Sequence, residues 1–183
     1  MTHPKTLYCI DLDGTLVKGH LHNYLMMNCL EKCSNKLTYN FLQDFQRGLR
    51  EPALMKELFE VLHKNGQPIA ITTFSSFPEV IPIILSEIGL SEDVIASIHV
   101  VHGLAHKLGP PGKNGHIQQA KKHFQLGHDI PCLLIDDDVS NTNYAKQSGH
   151  SIIHANPFGP TFVDEIGKLL CQFRSDVIKS EFN

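Results

Sequence analysis

The chain lacks an excess of charge of either sign, and it lacks cysteines in disulfide or zinc-binding patterns. Sixteen lysines and arginines against nineteen aspartates and glutamates give a formal net charge of −3. This balance excludes a broad electrostatic footprint for nucleic acid or an anionic membrane. The five cysteines are odd in number and have no Cys-x-x-Cys spacing, which indicates neither a disulfide framework nor a thiolate zinc site. We therefore expect reduced thiols and no nucleic-acid or membrane partner.

Long apolar runs, internal repeats and low-complexity segments are also missing. No stretch approaches the roughly 18 apolar residues of a membrane helix, and Met1-Thr2-His3-Pro4-Lys5 leads into no apolar signal region. We expect a cytoplasmic protein. Its 183 residues, of which 42% are hydrophobic, suit one buried core. The prediction is a single domain over residues 1–183, and the sequence leaves the oligomeric state open.

A short apolar run that leads directly into two carboxylates is the strongest signal in the chain. Residues 7–10 are followed by Asp11-Leu12-Asp13-Gly14-Thr15. Such a run is typical of a strand buried on both faces. Gly14 permits a sharp turn, so that both carboxylates can approach one ligand. Because open α/β sheets bind ligands at the carboxyl ends of their strands, the pattern predicts a site here.

Strand-like and helical segments alternate along the rest of the chain. The predicted strands cover residues 7–10, 69–72, 98–101, 132–135 and 151–154, and the predicted helices cover residues 22–33, 38–49, 52–64, 78–88, 115–124, 141–147 and 161–173. Strands separated by helices favour a sheet with helices on both faces. We therefore predict an α/β fold with a doubly wound, mostly parallel sheet.

Polar residues occur at four successive strand ends. After the first acidic pair come Thr72 and Thr73, then Lys113 beyond a loop, and then a second acidic run at 136–138. A parallel sheet brings its carboxyl ends to one edge, where these groups can converge on one cleft. Clustered carboxylates repel each other unless a cation joins them. Carboxylate oxygens suit Mg²⁺, which also screens an arriving phosphate.

The order and residue types of these motifs resemble the haloacid dehalogenase (HAD) superfamily over roughly residues 7–155. The family's Asp-x-Asp-Gly-Thr signature is matched by the run from Asp11 to Thr15. Its other three signatures are a strand ending in Thr or Ser, a Lys at a helix start, and an acidic pair followed by Asn or Asp. They are similar to Ile69-Ala70-Ile71-Thr72-Thr73, Gly112-Lys113-Asn114, and Ile135-Asp136-Asp137 with Asn141. The resemblance implies a Rossmann-like core.

By that resemblance, Asp11 is the nucleophile that attacks phosphorus, and Asp13 protonates the leaving oxygen and then activates water. Thr73, with Thr72 as the alternative, and Lys113 would bind phosphoryl oxygens. Because family members that dehalogenate lack the second aspartate, its presence favours phosphoryl transfer. The resemblance therefore implies a phosphatase that acts on a phosphorylated substrate.

The same resemblance implies a Mg²⁺ cofactor. The ion would be bound by the Asp11 carboxylate, the Asp13 backbone carbonyl and Asp137, with Asp136 as an additional direct or water-mediated ligand. Several further positions stay open. Lys107 is a second candidate for the role of Lys113, and five residues could line the entrance of the cleft: His20, His22, Tyr24, Arg47 and Arg50.

Residues 18–50 lie where the family inserts its first cap, and their length suits a small helical cap. A small cap leaves a cleft open to bulky phosphorylated groups, so a phosphorylated protein side chain such as phosphotyrosine is a plausible substrate. The alternatives are a small-metabolite phosphatase, a phosphomutase and, from another class, a phosphoryl-receiver or binding module without catalysis.

Overall fold

The computed structural model describes residues 5–28, 34–44, 48–103, 110–156 and 161–181. Within these ranges, five strands form one sheet: β1 (Leu7–Ile10), β2 (Ile69–Thr73), β3 (His99–His102), β4 (Cys132–Asp136) and β5 (Ser151–His154). Their order is β3-β2-β1-β4-β5, and every neighbouring pair is parallel. The predicted α/β fold with a doubly wound parallel sheet is therefore confirmed.

The chain builds the sheet outward from its centre in two directions. From β1 it moves to β2 and β3 on one side, and it then returns to add β4 and β5 on the other side. The reversal of strand order lies between β1 and β4, and a crevice forms at such a point in doubly wound sheets. The two acidic motifs follow these two strands.

Helices α1 to α8 surround the sheet. They are α1 (Leu21–Asn28), α2 (Ser34–Gln43), α3 (Pro52–Lys64), α4 (Ile81–Glu87), α5 (Glu92–Ser97), α6 (Asn114–His123), α7 (Val139–Gln147) and α8 (Thr161–Glu181), and a short 3-10 helix, Pro78–Val80, precedes α4. The predicted helix at 52–64 has the bounds of α3, with Pro at its first turn. The predicted helix at 22–33 begins as α1, and residues 29–33 lie outside the described part of the chain.

The predicted helix at 38–49 is wrong at both ends. Helix α2 starts at Ser34 and ends at Gln43. Leu49 forms an antiparallel bridge with Val17, and the Arg50 amide donates to the Leu16 carbonyl. These tertiary hydrogen bonds to the turn after β1 replace the helical ones that the local sequence favours.

The central strand β1 is buried on both faces. Tyr8 and Ile10 pack in a large apolar cluster with side chains of α3, α4 and α8. Leu7 and Cys9 point into a second cluster with side chains of α6 and α7. Successive side chains of a strand alternate between its two faces, so a continuous apolar run is what a strand covered on both sides requires. This packing fixes the position of Asp11 at its end.

Among the described helices, none combines the length and the apolar character that crossing a membrane requires.

Candidate active site

A cleft of about 480 Å³ opens where β1, β2 and β4 end. Its described lining consists of carboxylates, histidines, small polar groups and one aromatic ring: Asp11, Asp13, His20, His22, Asn23, Thr73, Phe74, Ser75, Asp136, Asp137, Asp138 and Asn141. Ile10 pairs with Ile135 in the sheet. The next residues, Asp11 and Asp136, therefore lie side by side at the carboxyl ends of β1 and β4. The two acidic motifs predicted to converge do line one cleft.

Three carboxylates in the cleft lie close enough to share a metal ion. Asp11, Asp136 and Asp137 each offer an oxygen within 4.8 Å of the others. Burial, and then the negative charge of Asp11, raise the pKa of Asp136 to about 8 and also raise the pKa of Asp137. A divalent cation would relieve this repulsion, and an all-oxygen donor set suits Mg²⁺. The residues present therefore fit the implied metal.

Asp136 is oriented by hydrogen bonds from its own strand end and from α7. The Asn141 amide nitrogen lies 3.2 Å from each Asp136 carboxylate oxygen, and the Asp138 backbone amide donates to Asp136 Oδ1 at 2.9 Å. Asp138 in turn caps α7, because its carboxylate accepts from the Ser140 amide at 2.6 Å. The helix cap and the acidic motif are thus one local structure.

Asp11 is paired with a buried lysine. Lys113 Nζ donates to Asp11 Oδ1 at 2.7 Å, and their side chains are 1% and 9% exposed. Nζ also donates to the Thr72 carbonyl and lies 4.3 Å from the centre of the Phe74 ring. A buried lysine with a carboxylate, a carbonyl and an aromatic face as partners is held in one orientation. It places positive charge beside the oxygen of Asp11.

Asp13 lies at the amino end of α1. Its Oδ1 accepts from the Leu21 amide at 2.7 Å and its Oδ2 from the His22 amide at 3.4 Å. Burial, followed by the charge of Asp11, raises the pKa of Asp13 to about 6, although these two amides oppose the shift. A carboxyl group with this pKa can hold a proton and release it near neutral pH, which suits an acid–base catalyst.

The structure distinguishes the two threonines at the end of β2. Thr73 lines the cleft, and its Oγ1 accepts from the Ser75 amide at 3.0 Å. Thr72 is not among the described lining residues. Its hydroxyl is fully buried and has no hydrogen-bond partner in the described part of the chain, and its carbonyl accepts from Lys113. This placement supports Thr73 over Thr72 as a phosphate ligand.

The expected entrance residues have different positions. His20 and His22 line the cleft, whereas Tyr24 lines a neighbouring hollow and packs on Phe41 with ring centres 5.4 Å apart. Arg50 is only 8% exposed and donates to the carbonyls of Gly14 and Ala155. It therefore ties the turn after β1 to the end of β5 instead of lining the entrance. Arg47 and Lys107 lie outside the described residues.

Phe74 and Ser75 line the cleft although the sequence did not single out either one. Phe74 contacts Lys113 through its face and His116 with ring centres 4.8 Å apart. Ser75 is 2% exposed, and its Oγ accepts a hydrogen bond from the Phe77 amide at 3.2 Å. Their position directly after the threonine pair could have predicted this, because a parallel sheet places its binding loops at the carboxyl ends of its strands.

A larger groove of about 810 Å³ runs along α8. It is lined by Leu54, Val163, Asp164, Gly167, Lys168, Cys171, Gln172 and Ser175. All of these residues belong to α3 or α8, and none follows a strand. Convergent carboxylates with raised pKa values are found in the smaller cleft, so the smaller cleft is the better candidate for chemistry.

Gly14 makes room for the acidic cluster, and replacing it should destabilise the fold. Its φ is +79°, and an added Cβ would lie 2.1 Å from Asp137 Oδ2. We expect Gly14→Ala to lose about 1–2 kcal/mol through backbone strain and about 1–3 kcal/mol more through the clash. Urea unfolding measures the loss. Gly66→Ala is the matched control, because Gly66 has φ +63° and open space around it. Equal losses in the two variants would contradict this account.

Comparisons with known proteins agree on the fold. No protein-family model and no curated protein matches the sequence. The HAD domain of effector protein Lem4 from Legionella pneumophila, solved as an inactive mutant, superposes with a TM-score of 0.59 at 16% identity, covering 99% of this chain and 100% of that one. A HAD-superfamily hydrolase from Ehrlichia chaffeensis gives 0.53 at 14% identity, covering 94% and 98%. A phospho-aspartyl intermediate analogue of phosphoserine phosphatase gives 0.52 at 15% identity, covering 82% and 86%.

Proposed function

Because the chain has the fold of the haloacid dehalogenase superfamily, we propose that it is a Mg²⁺-dependent phosphatase working through an aspartyl-phosphate on Asp11. The observation that carries the proposal is the convergence of Asp11, Asp13, Lys113 and the acidic motif after β4 around one cleft. The fold alone would not specify a reaction. The arrangement of these groups supports phosphoryl transfer.

In the first half-reaction, Asp11 attacks phosphorus. Lys113 binds Oδ1 at 2.7 Å, so we assign the attack to Oδ2. A bond forms between this oxygen and phosphorus, the bond from phosphorus to the leaving oxygen breaks, and the proton of Asp13 moves to the leaving oxygen. Lys113 offsets the charge that develops on the phosphoryl oxygens, and Thr73 donates a hydrogen bond to one of them.

In the second half-reaction, Asp13 acts as the base. Its carboxylate takes a proton from water, the resulting hydroxide attacks phosphorus, and the bond to Asp11 breaks to release inorganic phosphate. The amides of Leu21 and His22 hold Asp13 in place. Because the pKa of Asp13 is raised to about 6, its carboxyl group can donate a proton in the first step and accept one in the second.

Asp11, Asp136 and Asp137, together with the Asp13 carbonyl, would hold the metal. A bound Mg²⁺ supplies charge neutralisation between these carboxylates and the incoming phosphate. Asn141 orients Asp136 for this role. Gly14 leaves the space that Asp137 occupies.

The segment from Lys18 to Arg50 contributes α1 and α2, and we assign it as a small cap. His20, His22 and Asn23 of this segment line the cleft. The described part of this segment consists mainly of two short helices, which leave room for a bulky leaving group. We therefore propose a phosphorylated protein side chain such as phosphotyrosine as the substrate.

The test of the proposal is hydrolysis of an aryl phosphate such as p-nitrophenyl phosphate, with Mg²⁺ and with EDTA. We expect turnover that requires the metal and returns when Mg²⁺ is restored. Turnover that persists in EDTA would contradict metal dependence. The absence of turnover with any divalent cation would favour a receiver or binding module.

Metal binding should also stabilise the fold. Saturating Mg²⁺ at about 100 times its dissociation constant adds about 2.7 kcal/mol, which raises the melting temperature by roughly 5–10 °C in a chain of this size. Thermal melts with and without Mg²⁺ measure the shift. Asp137→Asn should remove most of it, whereas Asp129→Asn, an exposed substitution before β4, should keep it. A shift that survives in Asp137→Asn would place the ion elsewhere.

A further inference from the structure

Arg50 is a buried cation for which the proposed reaction has no use. It is 8% exposed, and an arginine is rarely buried unless its charge has partners. It ends the cap segment, whose two ends pair with each other: Val17 bridges to Leu49, and the Arg50 amide donates to the Leu16 carbonyl at 2.9 Å. Arg50 therefore lies where the cap segment rejoins the core.

A single guanidinium nitrogen of Arg50 binds two separate turns. Nη1 donates to the Gly14 carbonyl and, at 2.8 Å, to the Ala155 carbonyl. Gly14 directly follows Asp13 in the turn after β1, and Ala155 directly follows β5. Because the guanidinium is planar and its donors are fixed, these two bonds set the distance between the two carbonyls.

The end of β5 in turn holds the backbone of the acidic motif after β4. The Ala155 amide donates to the Asp136 carbonyl at 2.9 Å, and His154 Nε2 lies 2.8 Å from the Asp137 carbonyl, to which it can only donate. Asp137 also packs against Gly14, since a Cβ added there would lie 2.1 Å from Asp137 Oδ2. The two turns that carry the proposed metal ligands are thus joined through the guanidinium and the end of β5.

The backbone directly after Arg50 is strained. Glu51 has φ +41°, which is uncommon for a residue other than glycine, and it lies between Arg50 and Pro52 at the start of α3. Strain of this kind persists only where the surrounding contacts require one conformation, and it is common at functional sites. The contacts of Arg50 supply such a requirement.

The charge of Arg50 and its hydrogen bonds have opposite effects on metal binding. Burial lowers the pKa of Arg50, and the negative charges of Asp137 and Glu51 oppose this shift. A positive charge close to Asp137 repels a metal ion bound there. If charge were the main effect of Arg50, a neutral replacement would strengthen metal binding. If its hydrogen bonds position the ligands, the same replacement weakens metal binding.

We propose that Arg50 is a positioning residue, which holds the turn after β1 and the loop after β4 in the relative position that metal binding requires. The inference rests on the proposed phosphatase function. In this role Arg50 contacts neither the substrate nor the metal. It acts through the Gly14 and Ala155 carbonyls on Asp13 and Asp137.

The test measures metal binding directly in Arg50→Met, which removes both hydrogen bonds. The probe is Mn²⁺, which also prefers oxygen ligands and whose free concentration is read from its EPR spectrum; competition with Mg²⁺ then gives the Mg²⁺ affinity. We expect the Mn²⁺ dissociation constant to rise about tenfold or more, as for other groups that orient metal ligands. An unchanged or lower dissociation constant would overturn the inference.

The kinetics of Arg50→Met should separate positioning from substrate binding. With saturating Mg²⁺, kcat for p-nitrophenyl phosphate should fall about tenfold or more, because Asp13 lies on one of the displaced turns. KM should stay within about threefold of the native value, because Arg50 does not contact the substrate. A raised KM with an unchanged kcat would overturn the inference and indicate substrate binding instead.

Lys121→Met is the matched control for general destabilisation. Lys121 is 7% exposed, and its Nζ donates to the carbonyls of His128 and Ile130, so this substitution also removes a buried cation from two backbone carbonyls. Its urea midpoint should fall as in Arg50→Met, whereas its Mn²⁺ dissociation constant and kcat should stay within about twofold of native. Equal losses of Mn²⁺ affinity in the two variants would overturn the inference.

Arg50→Lys keeps the test decisive if Arg50→Met does not fold. An ammonium group on a shorter stem cannot reproduce the guanidinium geometry at both carbonyls, so the Mn²⁺ dissociation constant should rise about threefold or more. Native affinity in this variant would overturn the inference alone, provided that the native protein binds Mn²⁺ and hydrolyses p-nitrophenyl phosphate. If the native protein does neither with any divalent cation, the proposed function fails and the inference fails with it.

Discussion

Asp11→Asn should abolish phosphate hydrolysis, with a loss of about 10⁴-fold or more in kcat. An amide oxygen is a poor nucleophile, so no bond to phosphorus forms. The fold should survive, because the asparagine oxygen can still accept from Lys113 and the substitution removes one of the crowded carboxylates. Initial rates with p-nitrophenyl phosphate give the loss, and urea unfolding confirms the fold.

Asp129→Asn is the control for this substitution. It makes the same chemical change on an exposed residue before β4, at the opposite end of the strand from the cleft. Activity within about twofold of the native chain is expected for it, since exposed substitutions away from special features change little. Substantial turnover by a folded Asp11→Asn protein would exclude Asp11 as the nucleophile.

Lys113→Met should have the largest effect on stability. Removing one partner of a buried ion pair costs about 3–5 kcal/mol, because the remaining charge stays buried. Here the remaining group is Asp11, which has Asp136 and Asp137 close by. Activity should fall by about 10²–10³-fold through the lost stabilisation of phosphoryl charge. Urea unfolding in EDTA and in Mg²⁺ should show a smaller stability loss with the metal, which can replace part of the missing positive charge.

Lys121 provides a matched control elsewhere in the fold. It is 7% exposed, and its Nζ donates to the carbonyls of His128 and Ile130, away from any carboxylate of the cleft. Lys121→Met should lose about 1–3 kcal/mol from unsatisfied carbonyls, and the loss should be the same in EDTA and Mg²⁺. Its specific activity should stay close to native. A metal-independent loss in Lys113→Met would contradict the ion-pair account.

The sequence predicted the sheet well, because its strands carry a strong signal. An apolar run followed by Asp11 is what a strand buried on both faces and ending at a site requires, and β1 packs in two clusters. Pro52 in the first turn and Gly66 just after the last turn predicted the bounds of α3, because the preferences of these two residues depend on the local backbone. The six residues of α5 were not predicted, because such a short helix directly before β3 depends on packing.

The sequence also predicted the residue types of the site, but only the structure shows their partners. The choice of Thr73 over Thr72 depends on which hydroxyl lies at the cleft, and neighbouring positions of a strand end cannot reveal that. The anchoring of Asp13 by the first amides of α1 depends on how residues 14–20 fold. Arg50 was one of five candidates for the entrance, and its hydrogen bonds to the carbonyls of Gly14 and Ala155, both distant in sequence, explain its burial.

The most direct test of the central claim is to look for a phosphoryl group on Asp11. The native protein with Mg²⁺ is mixed with an aryl phosphate and quenched in acid within one turnover, and the peptide that contains residues 5–18 is analysed by mass spectrometry. The account predicts the added mass of one phosphoryl group, localised to Asp11, labile to hydroxylamine and absent from Asp11→Asn. Turnover without this adduct at any quench time, or an adduct on another residue, would contradict it.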